Sequence, residues 1–196
     1  MGDPKFPRKK FDRPSHPWEG ERIKAENELL MKYGLKNKKE LWRAQSFLSS
    51  IRGRARELQA SVRYGNPQAI KEKDELIARL GRLGLLPVEG ATLDDVLALD
   101  TEAVLSRRLQ TMAYVKGLAF NPRQARQFIT HGHLSVAGRA MRAPGHLVSR
   151  KEEETIVYDP RSPIANELHP ARPGVQQITD VARGEPSPEG DQGEAK

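Results

Sequence analysis

The chain has 196 residues, 37% of them hydrophobic and 30% charged, with a formal net charge of +7 and no cysteine. It holds no run of about 18 apolar residues, which excludes a membrane-spanning helix. The lack of thiols excludes a disulfide scaffold and a thiolate metal site. A polar, basic chain of this kind is expected to have a small core and a polyanionic partner, and a cytoplasmic location fits it best.

The charge is segregated along the chain. Residues 1–64 carry 16 Lys/Arg against 8 Asp/Glu, and residues 65–104 carry 4 against 8. Residues 105–161 then carry 10 against 4, and residues 162–196 carry 3 against 6. Solubility requires no such separation, so the two basic blocks predict two surfaces that meet an anion.

Residues 1–20 hold four prolines, and their cations alternate with Phe6, Phe11 and Trp18. This reads as an extended arm that orders on RNA, where phosphates neutralise the cations and bases stack on the rings. A short amphipathic helix from Arg22 to Tyr33 stops at Gly34. Asn37, three residues before Glu40, has the spacing of a capping box. The long helix it opens carries Leu41, Phe47, Leu48, Ile51, Leu58 and Val62 on one side and Arg43, Arg52, Arg54, Arg56 and Arg63 on the other. Guanidinium forks suit phosphates, so the polar side is expected to meet a nucleic-acid backbone. Gly53 is expected to mark a break or a close approach.

Asn66-Pro67 caps a third helix with Ile70, Leu76, Ile77, Leu80 and Leu83 as its stripe, and Gly84 closes it. Thr92 with Asp95 caps a short helix through Leu99. Asp100 or Thr101 opens a helix predicted to run to Lys116 with Leu105, Leu109, Met112 and Ala113 as its apolar face. Asn121-Pro122 caps the next, which buries Ala125, Phe128 and Ile129 and ends at Gly132. Arg123 and Arg126 share its other face, and with the helix N-terminus they form a candidate phosphate clamp. His133 to Ala140 alternates as a strand with a turn at Ala137-Gly138, and Thr155 to Tyr158 reads as another strand. Glu152, Glu153 and Glu154 read as a solvated loop. After Ser162, Ile164, Val175 and Ile178 are candidates to tie the tail down, and residues 184–196 read as disordered.

The run from Asn121 to Arg139, NPRQARQFITHGHLSVAGR, resembles the signature of the ribosomal protein S-four RNA-binding module. Ala137 departs from it, standing where an Asn commonly precedes the turn glycine. Pseudouridine synthases, tyrosyl-tRNA synthetases and a heat-shock protein carry similar modules, so the flanks decide. Gly2-Asp3-Pro4-Lys5, His16-Pro17-Trp18, the stretch from Tyr33 to Trp42 and Leu83-Gly84-Leu85-Leu86-Pro87 resemble the archaeal and eukaryotic form of the small-subunit ribosomal protein S-four family.

That resemblance, over roughly residues 2–166, implies a structural constituent of the small ribosomal subunit. Members of the family are primary binders of small-subunit rRNA that help fold its 5′ region, touch neighbouring small-subunit proteins, lie near the channel where mRNA enters, and influence decoding accuracy. The expected fold is α+β. An arm (1–20) precedes a helical rRNA-binding domain (21–104), and a module of two helices and an antiparallel hairpin (105–161) precedes a C-terminal extension (162–196). The expected RNA contacts are Lys5, Arg8, Lys9, Lys10 and Arg13 of the arm, and Arg43, Arg52, Arg54 and Arg56 of the long helix. In the module they are Arg107, Arg108, Arg123, Gln124, Arg126, His131, His133 and Arg139.

No catalytic residue, cofactor, metal or membrane is expected. The alternative, an RNA-modifying enzyme or a ribosome-associated stress factor carrying the same module, fares worse. A pseudouridine synthase needs a large catalytic domain with an aspartate in an Arg-Leu-Asp context, and that tripeptide is absent. Gly81-Arg82-Leu83-Gly84 matches the short clamp of a KH domain, but capping explains it. His131 and His133 lack a third metal ligand nearby.

Overall fold

A computed structural model describes residues 9–87, 90–167 and 169–173. The arm residues Lys5, Arg8 and Phe6, the tail residues Val175 and Ile178, and the stretch 184–196 lie outside them. The architecture is α+β. Helices α1 (Gly20–Lys32), α2 (Lys38–Arg63), α3 (Pro67–Arg82), α4 (Leu93–Ala98) and α5 (Thr101–Ser106) come first. Helices α6 (Leu109–Val115) and α7 (Pro122–His131) follow, then β1 (Leu134–Val136), β2 (Arg139–Ala140), α8 (Arg150–Glu153), β3 (Val157–Tyr158) and a 3-10 turn at Pro163–Ala165.

Polar caps fix where most of these helices begin. The side chains of Asn37, Asn66 and Asn121 accept from the backbone N–H groups of Glu40, Gln68 and Gln124, and Thr92 and Asp95 cap each other reciprocally. Each cap satisfies amides that the first turn leaves unpaired. The Asn121 cap lacks the reciprocal arm, because Gln124 Oε1 accepts from the Phe120 N–H at 2.6 Å instead.

Two hydrophobic cores form. The first gathers Tyr33, Leu41, Leu48, Leu58, Leu76, Leu80, Val96 and Leu105 from α1 to α5 and the α1–α2 turn. Burying apolar surface at about 25 cal/mol per Å² is what holds these helices, whose isolated stability would be marginal. Ile70, expected in the stripe of α3, is 40% exposed, and Ala69 takes the inward position. A buried carboxylate, Glu26, ties α1 to α2 by ion-pairing with Lys38 at 3.1 Å and accepting from Trp42 Nε1 at 3.0 Å, while Arg22 of its own helix donates to it at 2.7 Å. The second core gathers Leu109, Met112, Ala125, Phe128, Ile129, Leu134, Val136, Val148, Ile156 and Ile164. Its sheet has the order β2-β1-β3, with both pairs antiparallel.

Three local expectations are corrected. Gly53 makes no break. The α2 helix runs through it, and a Cβ there would meet nothing within 4 Å. The helix expected from residue 101 to Lys116 is two helices, interrupted at Arg107-Arg108. There the Arg107 carbonyl accepts from Val148 N–H at 2.9 Å, and Leu109 N–H donates to the His146 carbonyl at 2.8 Å. A returning strand of chain therefore takes the backbone groups that a continuous helix would use. Glu152 and Glu153 are not in a loop either, because Ser149 and Glu152 form a capping box that starts α8; Glu154 follows in an exposed turn.

Candidate nucleic-acid interface

The cations divide into those that face solvent and those that hold the fold together. In the arm, Lys9, Lys10 and Arg13 are exposed. The arm is anchored, since Asp12 N–H donates to Ser46 Oγ at 2.9 Å and Phe11 lies 6.2 Å from the Trp42 ring. Phe11 is therefore engaged within the chain, whereas Trp18 is 92% exposed and its faces are open for stacking. On α2, Arg43 and Arg56 are exposed without a described carboxylate partner. Arg54 is exposed and pairs with Glu72 at 3.1 Å. Arg52 departs from the expectation. It donates to the Leu99 carbonyl and reaches Asp100 at 4.0 Å, so it fastens α2 to the link between α4 and α5.

In the module most expected contacts prove to be internal. Glu40, at the start of α2, accepts from Arg126 at 2.5 and 3.1 Å and from Arg108 at 2.6 Å. The three side chains are 15%, 21% and 7% exposed, so this triad is largely withdrawn from water. Burial alone would push the Glu40 carboxyl up, but the two guanidinium partners together outweigh it and hold the carboxyl below its ordinary value. Arg107 is likewise committed, to Glu153 at 2.9 Å and to the Val148 carbonyl at 3.2 Å. Gln124 spends one end on the Phe120 amide and donates the other to the Ala171 carbonyl at 3.1 Å. These placements correct the reading of Arg107, Arg108, Gln124 and Arg126 as free RNA-facing groups. In the Glu40 triad one carboxylate serves two guanidiniums, so a net positive charge remains, but the N–H groups that would grip a phosphate are spent on Glu40 and Gln110.

The expected clamp at the N-terminus of α7 is also closed. Gly34, at φ +57°, sits so tightly against this helix start that a Cβ there would lie 2.8 Å from Pro122 Cβ. The neighbouring Gln110, 1% exposed, donates through Nε2 to the carbonyls of Tyr33 (3.2 Å), Gly34 (2.8 Å) and Pro122 (2.9 Å), and its Oε1 accepts from Arg126 at 3.1 Å. Anion access to the first turn of α7 is thus replaced by contact between the two lobes.

What remains open is a shallow groove beside this contact, lined by Lys36, Arg123, Gln127, Thr130 and His131. Arg123 is exposed, donates to the Met31 sulfur at 3.5 Å and has no carboxylate partner among the described residues. Lys36 was not singled out from the sequence, because it lies 87 positions before Arg123 and only the fold brings the two together. His131 is exposed, its ring 5.8 Å from that of His133. His133 itself is half-buried with Nδ1 2.8 Å from Ser162 Oγ. Desolvation, reinforced by the charges of His131 and His169, pushes its pKa down and favours the neutral ring. Arg139, on β2, faces solvent. Among the described residues, no helix is long and apolar enough to cross a membrane.

The family model for the S4 domain matches residues 107–154. A small ribosomal subunit protein uS4 from Thermoplasma acidophilum is 58% identical over 172 residues, covering 88% of this chain and 86% of that protein. Proteins of the same name from Picrophilus torridus and Methanococcus aeolicus are 55% and 51% identical, each over 88% of this chain and over 93% and 96% of their own lengths. With identity this high across most of both chains, the chain belongs to the small ribosomal subunit protein uS4 family.

Proposed function

We propose that the chain is a structural constituent of the small ribosomal subunit, acting by binding small-subunit rRNA rather than by catalysis. The observation that carries this is the set of exposed cations with no carboxylate partner among the described residues, Lys9, Lys10, Arg13, Arg43, Arg56, Arg123 and Arg139, on a chain whose relatives are named small ribosomal subunit protein uS4. Each phosphate that such a cation neutralises releases condensed counterions, so affinity comes largely from electrostatics and falls steeply with salt. The two lobes, locked at Glu40 and Gln110, present these cations in fixed relative positions. A preformed surface of this kind holds an RNA junction in one geometry, which is the physical basis for a primary binder that helps fold the 5′ region of the rRNA.

Contacts with neighbouring small-subunit proteins, a position near incoming mRNA, an effect on decoding accuracy and a cytoplasmic setting belong to the same reading. The alternative of an RNA-modifying enzyme or stress factor gains nothing from the relatives. The test is binding of the full chain to a transcript of the 5′ region of small-subunit rRNA across a salt series, together with sedimentation of reconstituted subunits. The expected result is a steep negative dependence of log affinity on log salt, with one copy per small subunit. Salt-insensitive binding, or substoichiometric recovery with subunits, would overturn the reading.

A further inference from the structure

A wide groove of about 1100 Å³ lies between the C-terminal half of α3 and α8, on a part of the molecule that the contacts described above do not use, Arg54 excepted. Four further cations enter it, Arg79 and Arg82 from α3 and Arg150 and Lys151 from α8. Its acidic lining is Glu72 and Glu75, and Glu72 is already held by Arg54 at 3.1 Å and by the Gln68 side-chain amide at 3.1 Å. Arg150 donates one N–H to the Leu86 carbonyl at 2.9 Å, which anchors its guanidinium at the groove wall. Arg79, Arg82 and Lys151 are exposed, and no carboxylate among the described residues pairs with them.

Two of these cations come from residues 65–104, the segment with twice as many acidic as basic residues, so the sequence gives no hint of a basic surface there. Arginines in the last turn of a helix complement its dipole, and that accounts for Arg79 and Arg82 taken alone. It does not account for α8 bringing Arg150 and Lys151 against them from some 70 positions later. Like charges gathered around one gap repel, and an anion in the gap relieves that repulsion. Ala78 and Gly81 also line the groove, and their small side chains leave its space open.

We propose that this groove is a second RNA-backbone site, in which Arg79, Arg82 and Lys151 contact successive phosphates of one strand. The proposal rests on the rRNA-binding reading above. An acidic peptide is the less suitable occupant. The walls are helices, which offer no unpaired strand edge for it to pair with, so charge alone would hold it. A nucleic-acid backbone supplies a regular row of anions, and guanidinium forks match its oxygens.

The experiment uses the full chain with Arg79→Gln, Arg82→Gln and Lys151→Gln combined, bound to the same rRNA transcript over a salt series. Three lost contacts lower the magnitude of the slope of log affinity against log salt by about 2–3. Circular dichroism checks that the variant is folded. The chain has no cysteine, so Ala78→Cys gives a single attachment point for an iron chelate that cleaves nearby RNA. Cleavage of the transcript from that position, together with the reduced slope, supports the proposal. If the parent protein binds with the expected salt dependence while the triple variant keeps its slope, or the chelate leaves the RNA uncut, the groove proposal falls and the rRNA reading stands. Normal RNA binding by the triple variant with failure to enter subunits would overturn it in favour of a protein occupant. If the parent protein does not bind the transcript, both readings fall.

Discussion

The two lobes use the same residue type for different work. On α2 the arginines mostly point outward, with Arg43 and Arg56 exposed and without a carboxylate partner among the described residues. In the module, Arg107, Arg108 and Arg126 turn inward onto Glu153 and Glu40. The module carries the motif that signals RNA binding, yet three of its arginines hold protein to protein. A cation in a recognition motif can thus be committed to a carboxylate of its own chain, as Arg107, Arg108 and Arg126 are.

The comparison breaks most visibly at Glu40. Replacing it as Glu40→Gln leaves Arg108, at 7% exposure, without its counter-charge, and should cost about 3 kcal/mol of stability, measured by urea unfolding at neutral pH. The folded carboxyl titrates below its ordinary value of 4.5. Its contribution is therefore complete above that value and is lost as pH falls through the lower, folded pKa. The gap between parent and variant should close on acidification below about pH 4. An equal gap at pH 3 and pH 7 would mean that the Glu40 charge is not what joins the lobes.

A smaller effect sharpens the contrast within one helix. Arg126→Ala removes one of the two guanidiniums on Glu40 and should cost about 2 kcal/mol while changing the salt slope of RNA binding little. Arg123→Ala, three residues earlier on an exposed face, should cost under about 0.5 kcal/mol but reduce the slope by about 0.7–0.9. Unfolding and RNA titration of both variants check this, and a reversal of the two patterns would abolish the distinction between inward and outward arginines.

The smallest effect lies in the hairpin. Ala137 has φ +49° in the turn between β1 and β2, a left-handed conformation that costs an alanine about 1 kcal/mol and an asparagine less. Ala137→Asn should therefore raise the melting temperature by about 1–3 °C without altering RNA binding. A fall in melting temperature would show that the turn is not strained.

Much of the fold was legible because its signals are local. The caps at Asn37, Asn66, Thr92 and Asn121 depend on neighbours within three residues, and so does the left-handed stop at Gly132. The break at Arg107-Arg108 was not legible, because the groups that compete for its backbone come from His146 and Val148. Which of the candidate contacts stay open to solvent is not legible from local pattern either. Nothing near Arg126 in the sequence announces Glu40, and nothing near Arg79 announces Lys151. The partners that commit Arg52, Arg107, Arg108 and Arg126 lie 41 to 86 positions away along the chain, apart from Gln110, 16 positions before Arg126.

The seat of Gly34 on Pro122, with Gln110 gripping three carbonyls beside it, also decides where the disorder of binding must be removed. A joint this tight leaves the angle between the two lobes little freedom to lose when RNA arrives, so the cost of ordering falls on the arm, on the long exposed side chains and on the nucleic acid. The heat capacity change of association should then include the rRNA's own folding. The protein then behaves as a die and the RNA as the material that takes its shape.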